Sequence, residues 1–281
     1  MPVITLDDIR ARHPDNILPP HSMHIDDYTR RVEGGMKIAG TSRVAFLAIC
    51  RNAMPWLPMT IERVRETAKS FDDWHCFIFE NDSVDGSAQY LDSVAGEKIT
   101  IQHATNGRPH LNTTKSSERT IALAEYRSRC QEFAFREMRD YDYAIVFDTD
   151  SWGGWSGIAN SISWIDEMGG AGGMASYGVC EWGPPIWPHA AWCQFDAWAA
   201  RWNYWHEERD MTWFHMWHPP VGSSPVKFNS AFGQLAVYRM SSYLSGEYRG
   251  GDCEHVAFHK SMAGDLYINP SQRVVSFWIP R

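Results

Sequence analysis

A short apolar run, Ala144-Ile145-Val146-Phe147, ends at two carboxylates one residue apart, Asp148 and Asp150. The run has the length and composition of a strand covered on both faces. A charge at the tip of such a strand needs a partner. In an open parallel sheet, ligands bind in the crevice beyond the carboxyl ends of the strands. Carboxylate oxygens suit hard cations such as Mg²⁺ or Mn²⁺, which also hold the diphosphate of a nucleotide. A surface turn after a strand explains the same three residues, so other segments must decide.

The flanking chain supplies the context. Val44 to Cys50 reads as a buried first strand, and Pro55 and Pro58 open a helix reaching about Ser70. His75–Phe79 and Ile99–His103 read as strands. Ser87–Val94 and Glu118–Met138 read as helices, the second with Leu123, Arg127, Cys130 and Ala134 on one side. Strand and helix alternate up to residue 150, which predicts an α/β fold with a mostly parallel central sheet flanked by helices. Beyond residue 150 the pattern weakens into Gly- and Trp-rich segments, with strands expected at Gly172–Val179 and Ala231–Tyr238 and a helix starting near Asp252 or Cys253. Residues 1–40, with Pro14, Pro19, Pro20 and Gly34-Gly35, read as an N-terminal arm, leaving 41–281 as one domain.

A net charge of −8 argues against a broad basic face for gripping nucleic acid. The six cysteines are scattered without a Cys-x-x-Cys pair and read as reduced, buried thiols. No apolar run approaches the roughly 20 residues of a membrane span, and no signal peptide is evident. A soluble, cytoplasmic protein is expected. Eleven of the 14 tryptophans fall between Trp152 and Trp217; some belong to the core, and those beside Gly and Pro suit sugar stacking.

Three strand ends carry polar clusters: Arg51-Asn52, Glu80-Asn81-Asp82 and Asp148-Thr149-Asp150. Asn and Asp at such ends can read a base and ribose, and Arg can neutralise phosphate. Glu80 to Gly86 is also good turn chemistry. Arg119 and Arg127 share the long helix, and Arg127 falls among its inward positions, where a phosphate or a strand-end carboxylate would serve as partner. Small residues in Phe228–Gly233 permit close approach of a ligand to the backbone. Glu254 and His255, near a helix start, offer a base and a metal ligand; alternatively Asp252 caps that helix and Glu254 faces its dipole.

Taken in order, an Arg-Asn after the first strand, FIFENDSVDGSAQYL, ERTIALAEYRSR, YDYAIVFDTD, CQFDAWAARW, FNSAFGQLAVYR and CEHVAFHKSM resemble the nucleotide-sugar glycosyltransferases of the GT-A fold, most similar to the fungal capsule-associated mannosyltransferases. The resemblance spans about Arg43 to Pro270. It implies Arg51, Asn52, Glu80, Asp82, Arg127, Asp148 and Thr149 around a UDP- or GDP-sugar, and Mn²⁺ or Mg²⁺ on Asp148 and Asp150. It also implies His255 or His259 as a further metal ligand, and Asp196 and Glu254 on the sugar side as catalytic carboxylates. Ser128 departs from the family pattern, which has Asn after the helix arginine. The lack of an anchor fits a bacterial or viral enzyme.

The reading is a metal-dependent hexosyltransferase acting on a glycan, protein, small molecule or hydroxylated viral DNA base, with Glu254 the first choice of base if the reaction inverts. Two alternatives stand beside it. A sugar-1-phosphate nucleotidyltransferase would carry a Gly-rich phosphate loop after the first strand. A catalytically inactive carbohydrate-binding protein would use the tryptophans.

Overall fold

A computed structural model describes residues 19–111, 114–182, 191–194, 196–207, 214 and 216–276. The ordered elements are helix α1 (Ile25–Ala39), β1 (Arg43–Cys50), α2 (Leu57–Ala68), β2 (Asp73–Asn81), α3 (Ser87–Val94), β3 (Ile99–Ala104), α4 (Ser117–Glu137), β4 (Tyr143–Asp148) and β5 (Ser151–Gly153). They continue with α5 (Trp155–Glu167), β6 (Ala171–Trp182), β7 (Ala191–Gln194), β8 (Val226–Phe228), β9 (Leu235–Arg239), α6 (Met240–Ser245), α7 (Glu254–Ser261) and β10 (Asp265–Ser276).

The strands form one sheet in the order β3-β2-β1-β4-β9-β6-β10-β5, with β7 added to β6 and β8 to β10. Period-two alternation explains how it is covered. Along β1, Val44, Phe46 and Ala48 join an apolar layer with Leu57, Ile61 and Val64 of α2, Leu91 of α3, and Ile158, Ile162 and Ile165 of α5. Ala45 and Leu47 face the opposite layer, with Ala122, Cys130 and Ala134 of α4, Tyr243 of α6 and Phe258 of α7. The result is a three-layer α/β sandwich, as the strand–helix alternation predicts.

The β3-β2-β1-β4 half is parallel. Antiparallel pairs enter at β9, which runs against both β4 and β6. This reversal matters for function. Because β9 is antiparallel, its beginning lies beside the carboxyl end of β4, where Phe147 is paired with Leu235. The loop before β9 therefore reaches the crevice from the second half of the chain.

The expected strands and helices of residues 44–150 are present within a few residues of their boundaries. Residues 231–234 form the turn entering β9 instead of its first residues. The N-terminal region departs from an arm between 25 and 39, where α1 packs on α5. Arg31 is 4% exposed; it pairs with Glu167 at 3.0 Å and lies 3.1 Å over the Trp164 ring. A Cβ at Gly35 would stand 1.7 Å from the Ala159 carbonyl oxygen, so glycine sets how closely these helices meet. Residues 1–18 of the expected arm, and Trp187 and Trp213, lie outside the described residues. Four of the cysteines, Cys50, Cys76, Cys130 and Cys253, are buried free thiols.

Candidate active site

Helix α4 starts at a Ser116 cap, whose Oγ accepts the Arg119 N–H at 3.2 Å. It then carries Arg127 under the carboxyl end of β4. The Arg127 guanidinium donates through Nη2 to Asp148 Oδ1 at 3.0 Å and through Nε to Glu254 Oε1 at 2.9 Å. It also lies 4.8 Å from the Phe232 ring centroid. Burial opposes its charge, but Asp148 and Glu254 overcome that and raise its pKa above the ordinary arginine value. Burial raises the Asp148 pKa, Arg127 pulls it down, and Glu254 pushes it up again. One buried cation thus bridges two carboxylates from strand and helix segments more than 100 residues apart.

Two further carboxylates stand close by without an ion-pair partner among the described residues. Asp150 keeps some contact with solvent; burial, and then the charge of Asp148, push its pKa to about 7. Asp196, also partly exposed, accepts the Gly233 N–H at 2.9 Å. Burial, followed by the charges of Asp148 and Glu254, lifts it to about 7 as well, against the Gly233 bond. Gly233 is obligatory in that turn: its φ is +63°, and a Cβ would lie 2.2 Å from the Ser176 carbonyl oxygen.

The two histidines separate. His259 is buried, with Nδ1 bonded to Ser230 Oγ at 3.0 Å and Nε2 to the Tyr238 hydroxyl at 2.9 Å. Its pKa is lowered to about 3 by burial. Neither nitrogen is turned toward the acids, so the structure does not bring His259 to Asp148 and Asp150. His255 stacks on Phe232 with centroids 3.9 Å apart, and neither ring nitrogen has a hydrogen-bond partner. Its pKa is lowered by burial and then by Arg127, so it stays neutral. It is 3.6 Å from Glu254 Oε1.

The expected nucleotide side is assembled at the ends of β1 and β2, and much of its polarity is turned inward. Glu80 accepts the Ser83 N–H at 2.9 Å and holds His103 Nδ1 at 2.7 Å, while His103 Nε2 meets Asp92 at 2.9 Å. Asp82 accepts the N–H groups of Asn106 and Gly107 at 3.0 and 3.1 Å. Asn52 Oδ1 accepts the Val84 N–H at 2.8 Å. Arg51 reaches the Arg108 carbonyl at 2.7 Å and lies 4.0 Å from Asp82. The turn chemistry of 80–86 and a polar rim are therefore both realised. Thr149 is 4% exposed, and its carbonyl accepts the Thr60 hydroxyl at 3.0 Å, which fixes the bend between Asp148 and Asp150.

Four non-glycine residues among those described have positive φ: Asn52 (52°), Asp82 (52°), Asp196 (76°) and Gln234 (67°). All four lie at strand ends facing this crevice. Asp252 accepts the Cys253 N–H at 2.7 Å, and it is also tied bidentately to Arg201, which is 0% exposed and donates to the Trp198 and Ala200 carbonyls. The 196–205 segment is thereby anchored two residues before Glu254. Sequence reasoning missed Phe232 and Arg201. An aromatic inside FNSAFG and an arginine inside an apolar Ala-Ala-Arg-Trp stretch were the available signals.

Among the described residues, no three His, Cys, Asp or Glu side chains already converge as a metal cage. Asp150 and Asp148 nonetheless fit a hard cation. Their oxygens are ionisable and belong to residues one apart, and Asp150 makes no ion pair among the described residues; burial first, and then the charge of Asp148, raises its pKa. No helix among the described residues is long and apolar enough to cross a membrane.

No family model matches the sequence, and no curated protein matches it. Among solved structures, TarS from S. aureus (residues 1–349) is similar over 83% of this chain and 60% of its own, at 9% identity and a TM-score of 0.49. The same protein in complex with UDP-GlcNAc matches at 10% identity and a TM-score of 0.46. The mannosyltransferase PcManGT from Pyrobaculum calidifontis, in complex with GDP-Man and Mn²⁺, matches over 91% of this chain and 68% of its own, at 12% identity and a TM-score of 0.48. This chain spans about three-fifths of the TarS fragment. These likenesses assign no activity to this chain.

Proposed function

We propose that the protein is a glycosyltransferase moving a hexose from a nucleoside diphosphate sugar to an acceptor hydroxyl, with a divalent cation held by Asp150 and Asp148. The observation that carries this reading is the group of four carboxylates, Asp148, Asp150, Asp196 and Glu254, around one buried arginine at the carboxyl edge of the sheet, beside the polar rim of β1 and β2. A bound Mn²⁺ or Mg²⁺ would supply Lewis-acid neutralisation of the leaving diphosphate.

The protein's own groups divide the remaining work. Arg127 orients Asp148 and Glu254. Asp196, partly exposed and with a pKa near 7, has the match to neutral pH that a general base for the acceptor hydroxyl needs. Glu254, the first choice from sequence, is 3% exposed and committed to Arg127 through Oε1. This supports a positioning part for Glu254, with Asp196 taking the proton. Asp196→Asn should then cost about 10²–10⁴-fold in transfer while nucleotide affinity holds. Collapse of transfer in Glu254→Gln, with Asp196→Asn active, would restore Glu254 as the base.

The nucleotidyltransferase alternative is less well supported. The turn after β1 is spanned by hydrogen bonds from the Asn52, Ala53 and Met54 N–H groups to Ser83, Ser87 and Asp85, so those donors do not face a phosphate. The test of the main reading is a panel of UDP- and GDP-sugars, with UDP-GlcNAc and GDP-Man first, assayed for hydrolysis with and without Mn²⁺. Metal-dependent release of one nucleoside diphosphate is expected. Nucleotide binding with no turnover of any donor would favour the inactive carbohydrate-binding alternative.

A further inference from the structure

We infer that Arg119 is the cation that receives the diphosphate of the donor, held for that purpose on the face of Trp198. The inference rests on the glycosyltransferase reading and adds to it a residue and the group that residue binds.

Three observations converge on Arg119. It is half-buried at the start of α4, eight residues before Arg127. Its guanidinium carbon lies 5.1 Å over the Trp198 ring, and among the described residues it makes no ion pair. The other basic groups at the rim are engaged: Arg108 with Glu125 at 2.6 Å, Lys115 with Glu207, Arg51 with the 108 and 109 carbonyls and Asp82, and Arg127 with Asp148 and Glu254. An arginine kept partly out of water by an indole, with no carboxylate on it, is a binding group awaiting an anion.

Its place fits the diphosphate in particular. Arg119 lies about two helical turns before Arg127 on α4, and Arg127 donates to Asp148 at 3.0 Å; Trp198, over which Arg119 lies, follows two residues after Asp196, which holds the Gly233 turn. A diphosphate that meets a cation on Asp148 and Asp150 would extend toward Arg119 along this edge of the crevice. Charge balance asks for such a residue. Asp148 and Glu254 already occupy Arg127, so the charge of a diphosphate is left for another cation. A fork of N–H donors with no competing acid supplies bidentate, charge-assisted hydrogen bonds at that point.

Calorimetry with the full chain and Mn²⁺ tests this, using UDP and GDP against UMP and GMP. For whichever base binds, Arg119→Gln should weaken the diphosphate roughly 10- to 50-fold and the monophosphate less than about 3-fold, the range for a lost hydrogen bond to a charged group. Arg119→Lys should recover part of the loss. Equal weakening of mono- and diphosphate would overturn the assignment in favour of a structural role, and unchanged diphosphate affinity with a raised acceptor KM would place Arg119 on the acceptor. Failure of the wild-type protein to bind any nucleotide would overturn the glycosyltransferase reading, and the Arg119 assignment with it.

Discussion

Replacing Arg127 by Met removes the one cation inside the acid cluster while keeping most of its apolar bulk. The structure sets the size of the effect. The guanidinium is 5% exposed and satisfies both Glu254, 3% exposed, and Asp148. Removing one partner of a buried ion pair costs about 3–5 kcal/mol, because the remaining charge stays buried without compensation. For a chain of this size that is a fall in Tm of roughly 6–10 °C. The loss must depend on pH with a definite sign. Arg127 lowers the Asp148 pKa against burial, so without it the folded-state value climbs further above the unfolded one. A carboxyl raised in this way costs nothing below its unfolded pKa and progressively more as pH rises toward the folded value. Urea unfolding of wild type and variant at about pH 4.5 and pH 8 should therefore show a small gap at the lower pH and the full gap at the higher. Exchanging Arg127 and Glu254 together for Met should recover only the part of the loss owed to Glu254, since Asp148 still lacks its partner. A loss below about 1 kcal/mol, or one equal at both pH values, would refute the reasoning.

Other outcomes follow from the same geometry. Asp150 and Asp196 have pKa values raised to about 7, so they favour the fold below the ordinary carboxylate range and that contribution is lost as pH rises through 7. Water screening at these partly exposed groups limits it to about 1–2 kcal/mol each; metal-free Tm should fall between pH 5 and 8 and be restored at pH 8 by Mn²⁺, and a metal-free Tm that rises over that interval would contradict the assignment. Asp150→Asn should stabilise the metal-free protein at pH 8 by about 1 kcal/mol and remove Mn²⁺-dependent nucleotide binding in calorimetry; retained binding would move the cation elsewhere. Gly35→Ala drives a Cβ to 1.7 Å from the Ala159 oxygen; it should cost about 1–3 kcal/mol in overall stability and expose 22–40 to limited proteolysis, and unchanged protease resistance would mean the α1–α5 contact adapts.

The first half of the fold was legible because each strand announced itself as an apolar run with a polar end, as in Val44–Cys50 followed by Arg51-Asn52. The Asp148–Asp150 tip and inward-facing Arg127 were legible for the same reason: a charge in an apolar pattern demands a partner. What eluded the sequence was pairing at a distance. Nothing local tells that β9 runs antiparallel beside β4, so the entry of the 228–234 loop into the crevice could not be read from its composition. Helix α5 was hidden because Gly153-Gly154 and the flanking tryptophans mask its periodicity, although Ile158, Ile162 and Ile165 are fully or almost fully buried. Helix α1 was obscured by Gly34-Gly35, which reads as a break but serves as a contact surface. The polar string 80–86 was open between turn and ligand contact, and only the pairing of Glu80 with His103 shows how much of it is internal.

The positive-φ residues at the crevice rim bear on how such a protein changes under selection. Left-handed backbone at a non-glycine residue costs about 1–2 kcal/mol, less for Asn and Asp. Glycine at Asn52 or Asp82 would relieve that cost, but Asn52 Oδ1 holds the Val84 N–H, and Asp82 holds Asn106 and Gly107. The same substitution that eases the backbone therefore loosens the loops at the ends of β1 and β2. Backbone relief and loop order draw on the same few rim positions, so lineages adapting to higher temperature should collect their substitutions on the outer faces of the helices and leave the rim unaltered.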